Sequence, residues 1–221
     1  MRKIFVTATV LPLLAFPGLA AADTSLGLRG GTLGGGVELS YALSQRAAVR
    51  LNADGYTRKQ TSTRDSIDYD MKLKLQTASL LGDWFPFANN FRISAGAMFN
   101  GNKFALNGKP SGPGYTINGT FYPAAQVGSF DAAVDFNKAA PYFGIGYGRP
   151  INRGLSLIFD LGVMSQGSPK SKIDVTCGSA ATPAQCSSLQ NDAAAEQSKL
   201  DDSLHSFKYY PVISLGLAYT F

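Results

Sequence analysis

Histidine occurs once in 221 residues, tryptophan once and cysteine twice. So thin a supply of His and Cys leaves little room for a His/Cys metal cluster, and neither a metal nor another cofactor is expected. Charge is scarce too, at 16% of residues, against about 25% in an ordinary soluble domain. No long apolar run occurs after the N-terminal segment. The mean hydropathy of −0.01 excludes a bundle of transmembrane helices. Disorder is excluded by the 45% hydrophobic and 11% aromatic content, which is too high for a chain that cannot form a core. What remains is a Gly- and aromatic-rich chain long enough for one domain.

Residues 1–22, MRKIFVTATVLPLLAFPGLAAA, have the form of an export leader. Arg2 and Lys3 precede an apolar run broken by Pro12 and Pro17, and Ala20-Ala21-Ala22 supplies the small residues of a cleavage site before Asp23. The run is short, and its prolines weigh against a membrane anchor. The expected organisation is a signal peptide at 1–22 and one domain at 23–221. Without Arg2 and Lys3 the 20 basic residues become 18 against 15 acidic ones, a net charge of +3. That is too weak to argue for nucleic acid.

The remaining sequence alternates with a period of two. Near the C-terminus Ile213, Leu215, Leu217, Tyr219 and Phe221 share one strand face, and Val212, Ser214, Gly216, Ala218 and Thr220 share the other. Similar alternation marks 36–43, 46–57, 67–84, 90–101, 133–148 and 154–165. With the C-terminal stretch these are seven spans; a closed antiparallel bacterial barrel needs an even number, so the eighth must be the short stretch Thr24–Gly30, with Gly30–Gly36 as the turn or a strongly bent stretch. Within 67–84 the phase slips, and a bulge near Gln76–Thr77 is expected. A soluble sandwich also alternates, but its polar face meets bulk water and is rich in Lys, Glu and Thr. Here the second face is rich in Gly, Ala and Ser with scattered Arg and Asp, as the inside of a narrow cylinder requires. Short links (Ser44–Gln45, Pro86–Asn90, Arg149–Arg153) alternate with long ones (57–66, 101–132, 165–205). Trp84, Phe85, Phe87, Phe91 and Tyr147 gather near the short turns, where an aromatic girdle would sit. The fold class expected is all-β: an eight-stranded transmembrane antiparallel β-barrel of the bacterial cell outer membrane, with one short helix in the last extracellular loop.

Two loops carry detail. Tyr115, Ile117 and Phe121 around Asn118-Gly119 indicate a hairpin above the barrel. Cys177 and Cys186 lie nine apart in an exported chain, so a local disulfide is expected, with metal binding or free thiols as alternatives. Thr182-Pro183-Ala184-Gln185 reads as a capping box with Pro at the first helical position. A helix to about Ser203 follows, stapled so that it could restrict the mouth.

The closing stretch Lys208–Phe221 resembles the last strand of outer-membrane barrels, and this resemblance implies that Leu217, Tyr219 and Phe221 form a signal for the barrel-assembly machinery. More narrowly, Ala140-Pro141-Tyr142-Phe143-Gly144-Ile145-Gly146-Tyr147, Gly167-Ser168-Pro169-Lys170, the Ala/Gln/Asp helix and the Tyr-Pro-Val strand resemble the CarO-type ornithine-uptake porin family. The likeness covers most of the chain and is strongest after Ala139. It implies an eight-stranded barrel partly closed on its extracellular side and passage of small basic amino acids and some antibiotics.

The alternation assigns Arg29, Arg50 and Arg92 with Glu38, Asp54, Asp83 and Asp160 to the lumen, and Lys72 and Lys74 with Asp68 and Asp70 to its upper part. These groups either bind polar solutes in passing or form a salt-bridged plug, since an unpaired buried charge costs several kcal/mol. The function expected is restricted passage of small polar solutes, with basic amino acids such as ornithine as candidates. The alternative is a non-conducting structural or adhesive barrel. No enzymatic activity is expected: His205, near Ser203 and Ser206, reads as a solvated rim histidine, because a catalytic triad is defined by geometry rather than by sequence neighbours. The expected partners are outer-membrane lipid and lipopolysaccharide, which the basic loop residues Arg58, Lys59, Arg64, Lys103, Lys109, Lys170 and Lys172 could touch. The assembly machinery and small polar solutes complete the set, and the barrel is expected to be monomeric.

Overall fold

The computed structural model of the chain describes residues 24–64, 67–110, 113–151 and 153–221. The signal peptide expected at 1–22 and the side chains of Arg64, Asp68 and Lys109 lie outside the described residues. In chain order the elements are β1 (Thr24–Gly31), β2 (Gly34–Ser44), β3 (Ala47–Arg64), β4 (Ile67–Trp84), β5 (Phe91–Asn100), β6 (Lys103–Pro110), β7 (Gly114–Ile117), β8 (Thr120–Pro123), β9 (Val127–Asp135), β10 (Ala139–Tyr147), β11 (Gly154–Ser165), β12 (Lys170–Cys177), α1 (Pro183–Leu204) and β13 (Tyr209–Thr220).

Eight of these strands close an antiparallel barrel in the order β1-β2-β3-β4-β5-β10-β11-β13, with β13 paired back to β1. Closure leaves the wall without edges, which is what a sheet in hydrocarbon requires. The outer surface is apolar: Leu155 is 72% exposed and Phe143 64%, and Leu28, Leu51, Leu80, Ile145 and Leu215 are exposed as well. Soluble monomers rarely expose a contiguous apolar patch of such extent, and lipid is the environment that suits it. No described helix is long and apolar enough to cross a membrane; the strands are the spanning elements. The fold is that of an outer-membrane barrel.

The short turns join β2 to β3, β4 to β5 and β10 to β11 at one end. Trp84, Phe87 and Tyr147 are exposed there, as a girdle requires. Phe85 is not part of it: fully buried, it points into the barrel instead. Arg149 stacks its guanidinium 5.7 Å from the Phe85 ring and donates to the carbonyls of Ala88, at 2.6 Å, and Gln45. One side chain thus ties all three turns together. The link between β1 and β2 is the tight turn Thr32–Leu33, since Gly31 pairs with Gly34 and Gly30 with Gly35. The glycines expected to form a bend are ladder residues.

On the opposite end half of the wall continues beyond the barrel. Residues 57–64 are not a loop; they extend β3, which pairs with β4 without a register shift from Ala47–Trp84 to Arg64–Ile67. The expected bulge at Gln76–Thr77 is therefore absent. What changes there is the neighbour: below it β4 pairs with β5, and above it with β6. The register is the same on both sides, since Thr77 faces Asn100 and Lys74 faces Lys103. β9 likewise prolongs β10 past a break at residues 136–138: Phe99 faces Ala139 and Lys103 faces Asp135. The run expected at 133–148 is thus two strands. β12 adds beside β9 and ends the extension.

The edge of β12 is capped by α1, whose 22 residues begin at Pro183 behind the expected capping box and end one residue past Ser203. Ser171 N–H donates to Asp201 Oδ1 at 2.7 Å, and Ile173 N–H to Gln197 Oε1 at 2.9 Å. These bonds occupy ladder positions that another chain could otherwise claim. The capping box is present, with Gln185 N–H donating to Thr182 Oγ1 at 3.3 Å and Thr182 N–H to Gln185 Oε1 at 2.9 Å. Cys177 and Cys186 form a disulfide with Cα atoms 5.6 Å apart, so β12 and the first turn of α1 are joined covalently. The β7–β8 hairpin turns at Asn118-Gly119, both with positive φ (52° and 83°), as a two-residue hairpin turn requires. It packs Tyr115, Ile117 and Tyr122 against Val127 and Leu189 in a small second core.

Candidate functional site in the barrel lumen

Inward positions of the wall strands bring Arg29, Glu38, Arg50, Asp54, Asp83, Arg92 and Asp160 into one layer, each buried. Arg29 on β1 grips Asp54 on β3 through two bonds of 2.8 Å from Nε and Nη2. Arg50 on β3 reaches Glu38 Oε2 on β2 at 3.1 Å and Asp160 Oδ2 on β11 at 2.8 Å. Its Nη2 donates to Asp83 Oδ1 at 3.1 Å and to Ser94 Oγ at 3.1 Å. Arg50 Nε lies 3.0 Å from Asp83 Oδ2 but lacks a directional hydrogen bond, so that contact is coulombic. Arg92 on β5 donates to Asp160 Oδ1 at 2.9 Å and to the Gly148 carbonyl at 2.8 Å.

Asp160 is the hub. All three guanidiniums approach it, Arg29 at 3.4 Å, Arg50 at 2.8 Å and Arg92 at 2.9 Å, and Ser214 Oγ adds a bond at 3.3 Å. Small inward residues make the space: a Cβ at Gly146 would stand 2.8 Å from both Arg92 Nε and Asp160 Oδ1. Taking seven charges out of water is costly, and only mutual pairing of good geometry offsets it. The three guanidiniums face four carboxylates, leaving the layer one formal negative charge.

Above this layer the lumen is apolar. Leu33 folds in from the β1–β2 turn and packs with Leu81, Met98, Ala140, Tyr142, Met164 and Val212. Tyr210 lies against them and donates from its hydroxyl to the Thr32 carbonyl at 2.6 Å. Sequence reading did not find this cap. Its signal was present: Leu80-Leu81, Met98-Phe99 and Val163-Met164 each put a large apolar residue on both faces of a strand. At the other end the buried Phe85 ring lies beside the Arg149 guanidinium.

Lys72 and Lys74 are not in the lumen. They lie on the part of β4 that stands above the barrel, on the same face as Ala78 and Leu80, and so on the outer side of the wall. Asp70 shares that face and accepts from Thr61 Oγ1 at 2.7 Å. The inner face there carries Met71, Leu73 and Leu75 instead. Leu217, Tyr219 and Phe221 project outward from the last strand and its end, with the Tyr219 and Phe221 rings edge to face at 5.3 Å. His205 caps the end of α1 on the exposed surface, and Ser203 Oγ donates to the Lys199 carbonyl at 2.9 Å.

No protein-family profile matches the chain, and no curated protein matches it in sequence. Its structure is similar to that of CarO from Acinetobacter baumannii, with a TM-score of 0.58 over 90% of this chain and 98% of that one, at 20% identity. A second A. baumannii protein, CarO2, aligns over the same shares at a TM-score of 0.56 and 19% identity. The chain thus has the fold of the CarO-type barrels: eight strands in the membrane and one helix outside it.

Proposed function

We propose that the protein gives slow, restricted passage to small polar solutes, with cationic and zwitterionic amino acids such as ornithine as the favoured class. The observation that supports this reading is the charged layer around Asp160. One carboxylate serves three guanidiniums, and the layer holds one more negative charge than positive. An arriving ammonium can take the place of Arg29 or Arg50 at Asp160, because Asp54 still pairs the first and Glu38 and Asp83 still pair the second. A neutral or anionic solute has no such exchange, because it would strand an arginine or a carboxylate at a cost of several kcal/mol. Passage then depends on Leu33 and the β1–β2 turn moving aside, so flux is low. The reading includes export by the 1–22 leader, recognition of Leu217, Tyr219 and Phe221 by the assembly machinery, a monomeric barrel and no catalysis.

A second reading, a non-conducting structural barrel, is favoured by the apolar cap around Leu33. Swelling of proteoliposomes in ornithine or arginine, compared with glutamate and a neutral sugar, separates the two. Cation-selective swelling that Asp160→Ala and Arg50→Ala both alter is the expected outcome. Swelling no faster than in empty liposomes, with both variants neutral, would leave only the structural barrel.

A further inference from the structure

Above the lipid belt, the outer face of the wall is basic in two successive cross-strand rows. The lower row reads Thr57, Lys74, Lys103, Asp135 and Lys170 from β3 to β12, and the next reads Lys59, Lys72, Ala105, Ala133 and Lys172. Two lysine pairs are direct cross-strand neighbours: Lys59 with Lys72 and Lys74 with Lys103. Like charges placed directly opposite destabilise a sheet. Lys103 is relieved by Asp135 at 2.9 Å and Lys172 by Asp174 at 2.7 Å. Lys59, Lys72 and Lys74 have no ion-pair partner among the described residues, and no carboxylate stands in the Lys59–Lys72 row.

The height of this patch is informative. Lys74 is ten residues above Trp84 on the same face of β4. At about 3.3 Å per residue and roughly 40° of tilt that is about 25 Å along the membrane normal, the height of the apolar band. The lysines therefore emerge where hydrocarbon ends and headgroups begin, on a surface continuous with the lipid-facing wall.

We propose that Lys59, Lys72 and Lys74, flanked by Lys103, form a docking site for the phosphorylated headgroup of an outer-leaflet glycolipid of the lipid A type. Its acyl chains lie against Ala78, Leu80 and Phe99, and its phosphates meet Lys59, Lys72 and Lys74, which the sheet leaves without an ion-pair partner among the described residues. Charge complementarity and continuity with the lipid surface both select this occupant, and the site is independent of solute passage.

The test uses the barrel domain in phosphatidylethanolamine nanodiscs doped with lipid A carrying two phosphates or one. Each lysine near an anionic surface contributes about fivefold to affinity. The variant Lys59→Gln/Lys72→Gln/Lys74→Gln is expected to weaken binding of the two-phosphate form about a hundredfold, and Lys→Arg at the same positions to retain it. Heat-modifiable gel migration reports that each variant is folded, and the double variant Lys59→Gln/Lys72→Gln serves if the triple one does not fold. Equal affinity for the two lipid A forms, or binding by the Gln variants within twofold of the parent, would overturn the proposal. Displacement of the lipid by inorganic phosphate at constant ionic strength, which holds screening fixed, would overturn the assignment to a lipid.

Discussion

Inside the bilayer the wall turns apolar residues outward and polar ones inward; a few residues higher, the same ribbons do the opposite. On β4, Ala78 and Leu80 face lipid while Thr77, Ser79 and Asp83 face the lumen. Above Gln76, Lys72 and Lys74 take the outer face while Met71, Leu73 and Leu75 take the inner one. The backbone register does not change between the two regions. What changes is the surroundings: lipid gives way to water outside, and a charged lumen gives way to the apolar inner side of the extension and its small core. Alternation therefore reports what lies on each side of a strand rather than which side is in.

The largest consequence concerns ion pairs. In the wall, Asp160→Ala leaves Arg50 and Arg92 without their shared carboxylate in a site closed to water, and about 3–5 kcal/mol of barrel stability should be lost. Arg50→Ala should cost a similar amount. The double variant should cost less than the two single losses together, because the residues share one network. In the extension, Asp174→Ala breaks a pair whose side chains are 72% and 59% exposed, and the change should stay within about 1 kcal/mol. Urea titration of barrels folded in lipid vesicles measures all four. Equal losses in the two regions would break the comparison.

A smaller contrast runs along one face of one strand. Leu80→Lys puts an ammonium in the lipid belt and should cost about 2–4 kcal/mol, the value for a charge near mid-membrane. Lys72→Leu, eight residues away on the same face, should change stability by no more than about 0.5 kcal/mol, as for an ordinary surface position. A large loss from Lys72→Leu, or a negligible one from Leu80→Lys, would mean that the boundary of the lipid belt lies elsewhere.

The same contrast explains what could be read from the sequence. Seven strand spans and the inward placement of Arg29, Arg50, Arg92, Glu38, Asp54, Asp83 and Asp160 follow from period-two alternation, because lipid forces one face to be uniform; the eighth strand follows only from the even count that a closed barrel needs. The slip near Gln76 was legible as a slip, but a bulge and a change of surroundings give the same pattern, and so Lys72 and Lys74 were assigned to the wrong side. The stretch 57–66 reads as a loop because Thr57, Lys59 and Gln60 are polar, and nothing local shows that β4 lies beside them. The apolar cap was missed because Leu81, Met98 and Met164 break the expected polar face. Convergence of Asp160 on three arginines depends on closing strands far apart in sequence, which spacing along one chain does not encode. The disulfide and the capping box were legible because both are local.

The smallest effect belongs to the contact between α1 and the β7–β8 hairpin, which lies outside the membrane and meets bulk pH directly. Asp192 accepts from Tyr122 OH at 2.5 Å and from Asn118 Nδ2 at 3.0 Å, and these bonds hold its carboxyl below the usual carboxylate value of 3.8. Stability from a depressed carboxylate is present above its ordinary pKa and is lost as pH falls through the lowered one. Burial, with the Asp192 contact added to it, pushes the Tyr122 phenol up from 10.0 to about 12. Stability from a raised group is present below its ordinary pKa and is lost as pH rises, here between about 10 and 12. The docking of α1 on the hairpin should therefore hold across neutral pH and loosen at both ends. Hydrogen exchange at Tyr115, Ile117 and Leu189 should quicken below about pH 4 and above pH 10, while the barrel amides stay protected. Asp192→Asn should remove the acid arm and Tyr122→Phe the alkaline one. Exchange that quickens equally in the barrel would show that the extension does not open as a separate unit, and that the two regions differ in chemistry but not in cooperativity.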